Sequence, residues 1–113
     1  MSEVYTSDGQ PRSNIAAMAL SIMPTIPYAI DWSARVTVLN ELATAVNDNG
    51  GDISVLDIAA SYDNSGMTQR INDISTGLND LGATPELPIY DSIDINSFNS
   101  IVGNIVNTMA SMS

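Results

Sequence analysis

The stretch MTQRINDISTGLNDL, residues 67–81, carries its apolar side chains at Met67, Ile71, Ile74, Leu78 and Leu81. The intervals run four, three, four and three. A strand keeps one face apolar with an interval of two, whereas steps of three and four place all five side chains on one stripe of an α-helix. The spacing therefore predicts a helix over 67–81 with a short a/d seam. Gly82 follows where a residue free to turn left-handed ends such a helix.

The same period recurs on both sides. Upstream, Asp31 is placed to cap a helix running to about Asn47, with Leu39, Leu42 and Val46 at three–four spacing and Trp32, Val36 and Val38 widening the apolar face. The β-branched residues of RVTVL (35–39) suit a strand, but the pattern around them favours helix. Further upstream, Ser13 can cap a helix NIAAMALSIM from Asn14, which Pro24 ends because proline cannot continue the hydrogen-bond ladder. That helix is apolar on nearly every side, so it belongs in a core or an interface. The link PTIPYAID (24–31) is extended or turn-like. A short helical stretch from Val55 to about Tyr62 is expected after the Gly50–Gly51 pair.

Downstream, GATPELPIYDS (82–92) is a linker containing Pro85 and Pro88. A last helix begins at Ile93 or Ser97 and runs to Met109. Its stripe of Ile95, Phe98, Ile101, Val102, Ile105, Val106, Met109 and Met112 is wide and is flanked by Asn96, Asn99, Asn104 and Asn107. The two Asp-Ile-Ser triplets, at Asp52 and Asp73, are too short to mark an internal repeat. The expected architecture is mainly α: a small bundle of about four to five helices, with proline-containing linkers and an extended N-terminal arm over residues 1–12. Residues 13–113 form one domain, with the proline linker near 82–92.

VNDNGGDISVLDIAAS (46–61) raises the question of a metal. With Gly51 at the sixth position of an EF-hand-type loop, Asp48, Ile53, Ser54 and Asp57 fall where ligands or the conserved aliphatic belong. Val46, however, stands at the first ligand position and Gly50 at the fifth. The stretch reads better as a joint between helices. Ser54 then serves as N-cap with Asp57 three residues on, and Ile53 and Ile58 form a hydrophobic staple. No metal is expected.

Charge and composition exclude whole classes of function. Thirteen acidic residues face only Arg12, Arg35 and Arg70, with no lysine, for a net charge of −10. Such a chain repels phosphate backbones and anionic lipid, so neither direct nucleic-acid binding nor a membrane role is expected. The chain has no histidine and no cysteine, which removes ordinary zinc sites, histidine bases, Ser-His-Asp triads and disulfides. Glycine-rich phosphate loops are absent too. Residues 13–30 are uncharged, but the acidic residues before them and the breaks at Pro24 and Pro27 argue against a signal or spanning segment. Asp91 and Asp94 lie close together, and Asp73 and Asp80 lie two turns apart on one helical face. A paired-carboxylate site needs a cleft, however, and nothing in the sequence suggests one. Asp91 with Asp94 reads as a helix-start signal.

What remains is apolar surface. Ile15, Met18, Leu20 and Ile22 on the first helix, with Ile95, Phe98, Ile101, Val102, Ile105, Val106 and Met109 on the last, exceed what a lone domain of this size needs, and such stripes mark protein–protein contact. No catalytic residue, cofactor or metal is assigned. The expected function is a non-enzymatic structural or assembly subunit, soluble, a homo-oligomer or part of a larger protein assembly. A small virion (bacteriophage) accessory protein fits that character. The alternative is an acidic binding module, an adaptor or inhibitor docking on a basic protein.

Overall fold

A computed structural model gives the structure of the protein and describes residues 14–54 and 63–112. Four α-helices build it: α1 (Ile15–Ile22), α2 (Trp32–Asp48), α3 (Asn64–Asp80) and α4 (Phe98–Ala110). A 3-10 turn, Met23–Tyr28, extends α1, and a second, Ile95–Ser97, leads into α4. No strand occurs among the described residues, and the chain is a small helical bundle, mainly α as its periodicity implies. The expected N-terminal arm, the Val55–Tyr62 helix and the Asp57 and Ile58 parts of the capping box and staple lie outside the described residues.

Local chemistry sets the helix starts. Asp31 Oδ1 accepts the Ala34 N–H at 2.8 Å, the expected cap of α2, a bond that contributes roughly 1 kcal/mol. The cap of α1 is Asn14 and not Ser13: its Oδ1 accepts the Ala17 N–H at 3.0 Å. Helix α3 starts three residues before the expected Met67, because Asp63 accepts the Gly66 N–H and draws residues 64–66 into the first turn. Asp94, not Asp91, is the cap near the last helix, accepting the Asn96 N–H at 2.9 Å. Pro24 ends α1 as a regular helix, and the chain tightens there into the 3-10 turn.

Helices α2 and α3 end alike. Gly51 N–H reaches back to Val46 C=O and Gly50 N–H to Asn47 C=O; in α3, Ala83 N–H reaches Leu78 C=O and Gly82 N–H reaches Asn79 C=O. Both are Schellman closures, and each needs its left-handed glycine, Gly50 at φ 110° and Gly82 at φ 99°. The first position of the supposed calcium loop, Val46, is wholly buried, and its carbonyl belongs to this closure.

The likeness extends along both helices. Thirty-two residues apart, Asp31, Ser33, Asn40, Thr44, Asn47, Asp48 and Gly50 match Asp63, Ser65, Asn72, Thr76, Asn79, Asp80 and Gly82. The chain thus holds an internal repeat after all, in a register that the Asp-Ile-Ser triplets do not share. Each unit is a helix of equal length followed by a segment that asparagine side chains hold in place. Asn47 grips Ile53 through both backbone groups, accepting its N–H and donating to its C=O, each at 2.7 Å. Asn79 grips Leu87 in the same way, and Asn72 grips Tyr90. Farther along, Thr68 accepts the Ile93 N–H while Asn64 donates to its carbonyl. The proline linker therefore lies back along α3, running antiparallel to it, with its polar backbone paired to a row of helix side chains.

The core is aliphatic, with Phe98 its large aromatic. Helix α1 packs most extensively on α4 and next on α2, while α3 packs mainly on α2. The α3 seam is buried as its spacing implies: Met67, Ile71, Ile74 and Leu78 are fully enclosed, and Leu81 is half-buried. Among the described residues no helix is long and apolar enough to cross a membrane.

Candidate functional site

The stripes that suggested an outer partner face each other. Ile15, Ile22, Phe98, Val102, Ile105, Val106 and Met109 are buried in the chain's own core, and Met18, Ile95 and Ile101 are half-buried against it. Of the residues expected at an interface, Leu20 is the exposed one, at 57%. Periodicity identifies an apolar face but not its covering; here the α1–α4 contact supplies that covering within one chain.

Most of the exposed bulky apolar side chains lie beside it, in and just after the uncharged run, with Ile89 apart from them. Leu20, Pro24, Pro27, Tyr28, Ile30 and Trp32 are all exposed, Tyr28 at 78% and Ile30 at 74%. Local geometry puts them outside. The Ile30 N–H bonds to the Tyr28 carbonyl around Ala29, which is buried, so the flanking Tyr28 and Ile30 turn outward. Asp31 then caps α2 and fixes Trp32 at its first position. This corner between α1 and α2 could be found in the sequence from the lack of charge over 13–30, but PTIPYAID has no helical period to mark a face.

Three acidic residues share a cleft elsewhere. Asp52, Asp73 and Asp80 line a shallow cleft with Ile53, Ser54, Thr76 and Gly77. Arg70, largely buried, pairs with Asp73 at 3.7 Å and donates to the Ser54 carbonyl. Arg35 lies over the Phe98 ring, 5.7 Å from its centre, a cation–π contact. Asp91 lines a second hollow with Ser65, Thr68, Gln69, Asn72, Tyr90 and Ser92. Among the described residues no three acidic side chains converge closely enough to hold a metal ion.

Two open hollows lie along α2. One hollow is lined by Trp32, Ser33, Val36, Thr37 and Asn40, and the next by Met18, Ser21, Ile22, Asn40, Glu41 and Thr44. Asn40 stands between them, and its Oδ1 is shut off from solvent without a hydrogen-bond donor. Comparison of the chain with models of known protein families, with curated proteins and with solved structures finds no match.

Proposed function

We propose that the protein is a non-enzymatic assembly subunit that self-associates and joins a larger protein complex through the corner formed by Leu20, Tyr28, Ile30 and Trp32. The observation that carries this reading is the exposure of bulky apolar side chains in and just after an uncharged run of a chain of net charge −10. An apolar patch on a strongly charged surface is favourable to cover and costly to leave in water. Residues 13–30 bring no charge to that contact, and the one acidic side chain within it, Asp31, is engaged as the cap of α2. A small virion component is the setting this character suits, and co-purification with a capsid or tail component tests it.

The direct experiment is light scattering across concentration on the chain and on a Tyr28→Ser/Ile30→Ser variant. The chain should gain mass with concentration and the variant should stay monomeric. A strict monomer at high concentration, with no protein retained on it, removes the reading. A second reading, an acidic module docking on a basic protein, draws support from the Asp52, Asp73 and Asp80 cleft. Rising salt discriminates: an acidic contact weakens, while an apolar one holds or tightens.

A further inference from the structure

We propose that Asn49 is a site of spontaneous deamidation, held in check by the folded end of α2 and released when that end opens. The inference concerns a covalent change in this chain, so it stands apart from the reading of the protein as an assembly subunit. Of the eleven asparagines, Asn49 is the one followed by glycine; every other precedes a residue with a side chain. In the reaction, hydroxide takes the proton of the Gly50 N–H and the nitrogen attacks Asn49 Cγ. The new N–Cγ bond forms as the Cγ–Nδ2 bond breaks, and Nδ2 leaves as ammonia with a proton from water. Water then opens the cyclic imide at either carbonyl, giving aspartate or β-linked isoaspartate. A side chain on the following residue crowds that attack, and Gly50 has none.

The folded helix end restrains every atom that must move. The leaving group is tied down: Asn49 Nδ2 donates to the Ala45 carbonyl at 2.8 Å and to the Met18 sulfur at 3.6 Å. The attacking group is tied as well, since the Gly50 N–H donates to the Asn47 carbonyl at 3.2 Å. Asn49 itself sits at ψ 21°, so the Gly50 nitrogen nearly eclipses the Asn49 nitrogen and is turned away from Cβ and Cγ. Closing a five-membered ring requires a large rotation about that bond, one of the two soft torsions of the residue. The Gly51 N–H, bonded to the Val46 carbonyl at 2.9 Å, opposes the rotation from the other side. Ring closure therefore waits for the Schellman closure to break, an opening local to the end of α2.

The product does not fit where the asparagine sat. A carboxylate at position 49 offers the Ala45 carbonyl no hydrogen and adds a negative charge at the negative end of the helix, in a chain already at −10. Isoaspartate lengthens the backbone by one carbon and throws Gly50 and Gly51 out of register with Asn47 and Val46. A transient opening thus becomes a lasting lesion. The internal repeat shows that the closure itself does not need asparagine here. Thirty-two residues on, Leu81 and Gly82 hold the same two places, with ψ 2° at Leu81 and the left-handed glycine after it. Asn49→Leu is accordingly the variant that keeps the turn and removes the chemistry.

The test incubates the full chain at mildly alkaline pH, folded in buffer and unfolded in guanidinium chloride. Cleavage after Arg35 and Arg70 releases residues 36–70, and fragmentation mass spectrometry locates the exchange of NH2 for OH. In denaturant, Asn49 should react before any other asparagine. In buffer its rate should fall about tenfold or more, by the open fraction that hydrogen exchange gives for the Gly50 and Gly51 amides. Chain aged in denaturant and refolded should yield a more acidic fraction on anion exchange, with a lower Tm than fresh chain. Asn49→Leu aged in the same way should keep its Tm. First reaction at another asparagine in denaturant overturns the site, and this reading needs no variant to fold. A folded rate equal to the unfolded one overturns the restraint. An equal loss of Tm in aged Asn49→Leu would place the damage elsewhere and overturn the proposal too.

Discussion

The hydroxyl of Ser75 lies in the core of α3 and bonds to nothing among the described residues. Its counterpart one repeat earlier is Ala43, fully buried in α2. Ser75→Ala should therefore stabilise the fold by about 1–2 kcal/mol, since it removes an unsatisfied buried group and favours the helix. Thr68 is the instructive contrast. Its counterpart is Val36, and Thr68→Val keeps shape and burial, yet its hydroxyl accepts the Ile93 N–H at 3.2 Å and donates to the Asn64 carbonyl at 2.9 Å. Thr68→Val should cost about 1–2 kcal/mol by leaving the Ile93 N–H without an acceptor. Urea unfolding of the two variants gives opposite shifts in midpoint if the hydrogen bonds, and not the volumes, decide the sign. Equal shifts in one direction would show that the packing around α3 differs from that described.

At the scale of the element, α3 with its returning segment behaves as one unit. Asn72→Ala removes both bonds to Tyr90 and should destabilise by about 1–3 kcal/mol. Faster hydrogen exchange over 87–93 should accompany it while α1 and α4 stay protected. Two glycines separate backbone cost from space. A Cβ at Gly82 meets nothing within 4 Å, so Gly82→Ala carries the left-handed strain alone, about 1 kcal/mol or more. A Cβ at Gly103, within α4, is equally unopposed, and Gly103→Ala should stabilise by roughly 1 kcal/mol. Thermal melts of the pair should move in opposite directions. These elements were differently legible. The seam of α3, the Asp31 cap and the Gly82 stop could be read from the sequence because each depends on residues within a turn or two of one another. The asparagine grips could not, because Asn72 and Tyr90 are eighteen residues apart and asparagines on a helix read as a solvated flank. The candidate corner was half legible: the missing charge marked it, but the wide stripes of α1 and α4 drew attention to surfaces that cover each other.

For the whole molecule the governing imbalance is charge. Thirteen acidic side chains meet three arginines. Of these arginines, Arg70 is engaged with Asp73 and the Ser54 carbonyl, and Arg35 lies on Phe98. The folded state gathers the remaining like charges at closer range than the unfolded chain does, so their repulsion opposes folding. Screening shortens from about 10 Å at 0.1 M salt to about 3 Å at 1 M, and repulsion fades accordingly. Stability should therefore rise with sodium chloride, by several degrees in Tm if the relief is about 1 kcal/mol. Salt also strengthens apolar contact at the corner, and association couples to folding through concentration. The two effects separate in a grid of salt against protein concentration. In the chain, Tm should rise along both axes; in the Tyr28→Ser/Ile30→Ser variant, the salt axis should persist and the concentration axis should vanish. A Tm that falls with salt would mean that attractive pairing, not repulsion, dominates the surface. A concentration dependence that survives in the variant would place the self-association surface away from Tyr28 and Ile30.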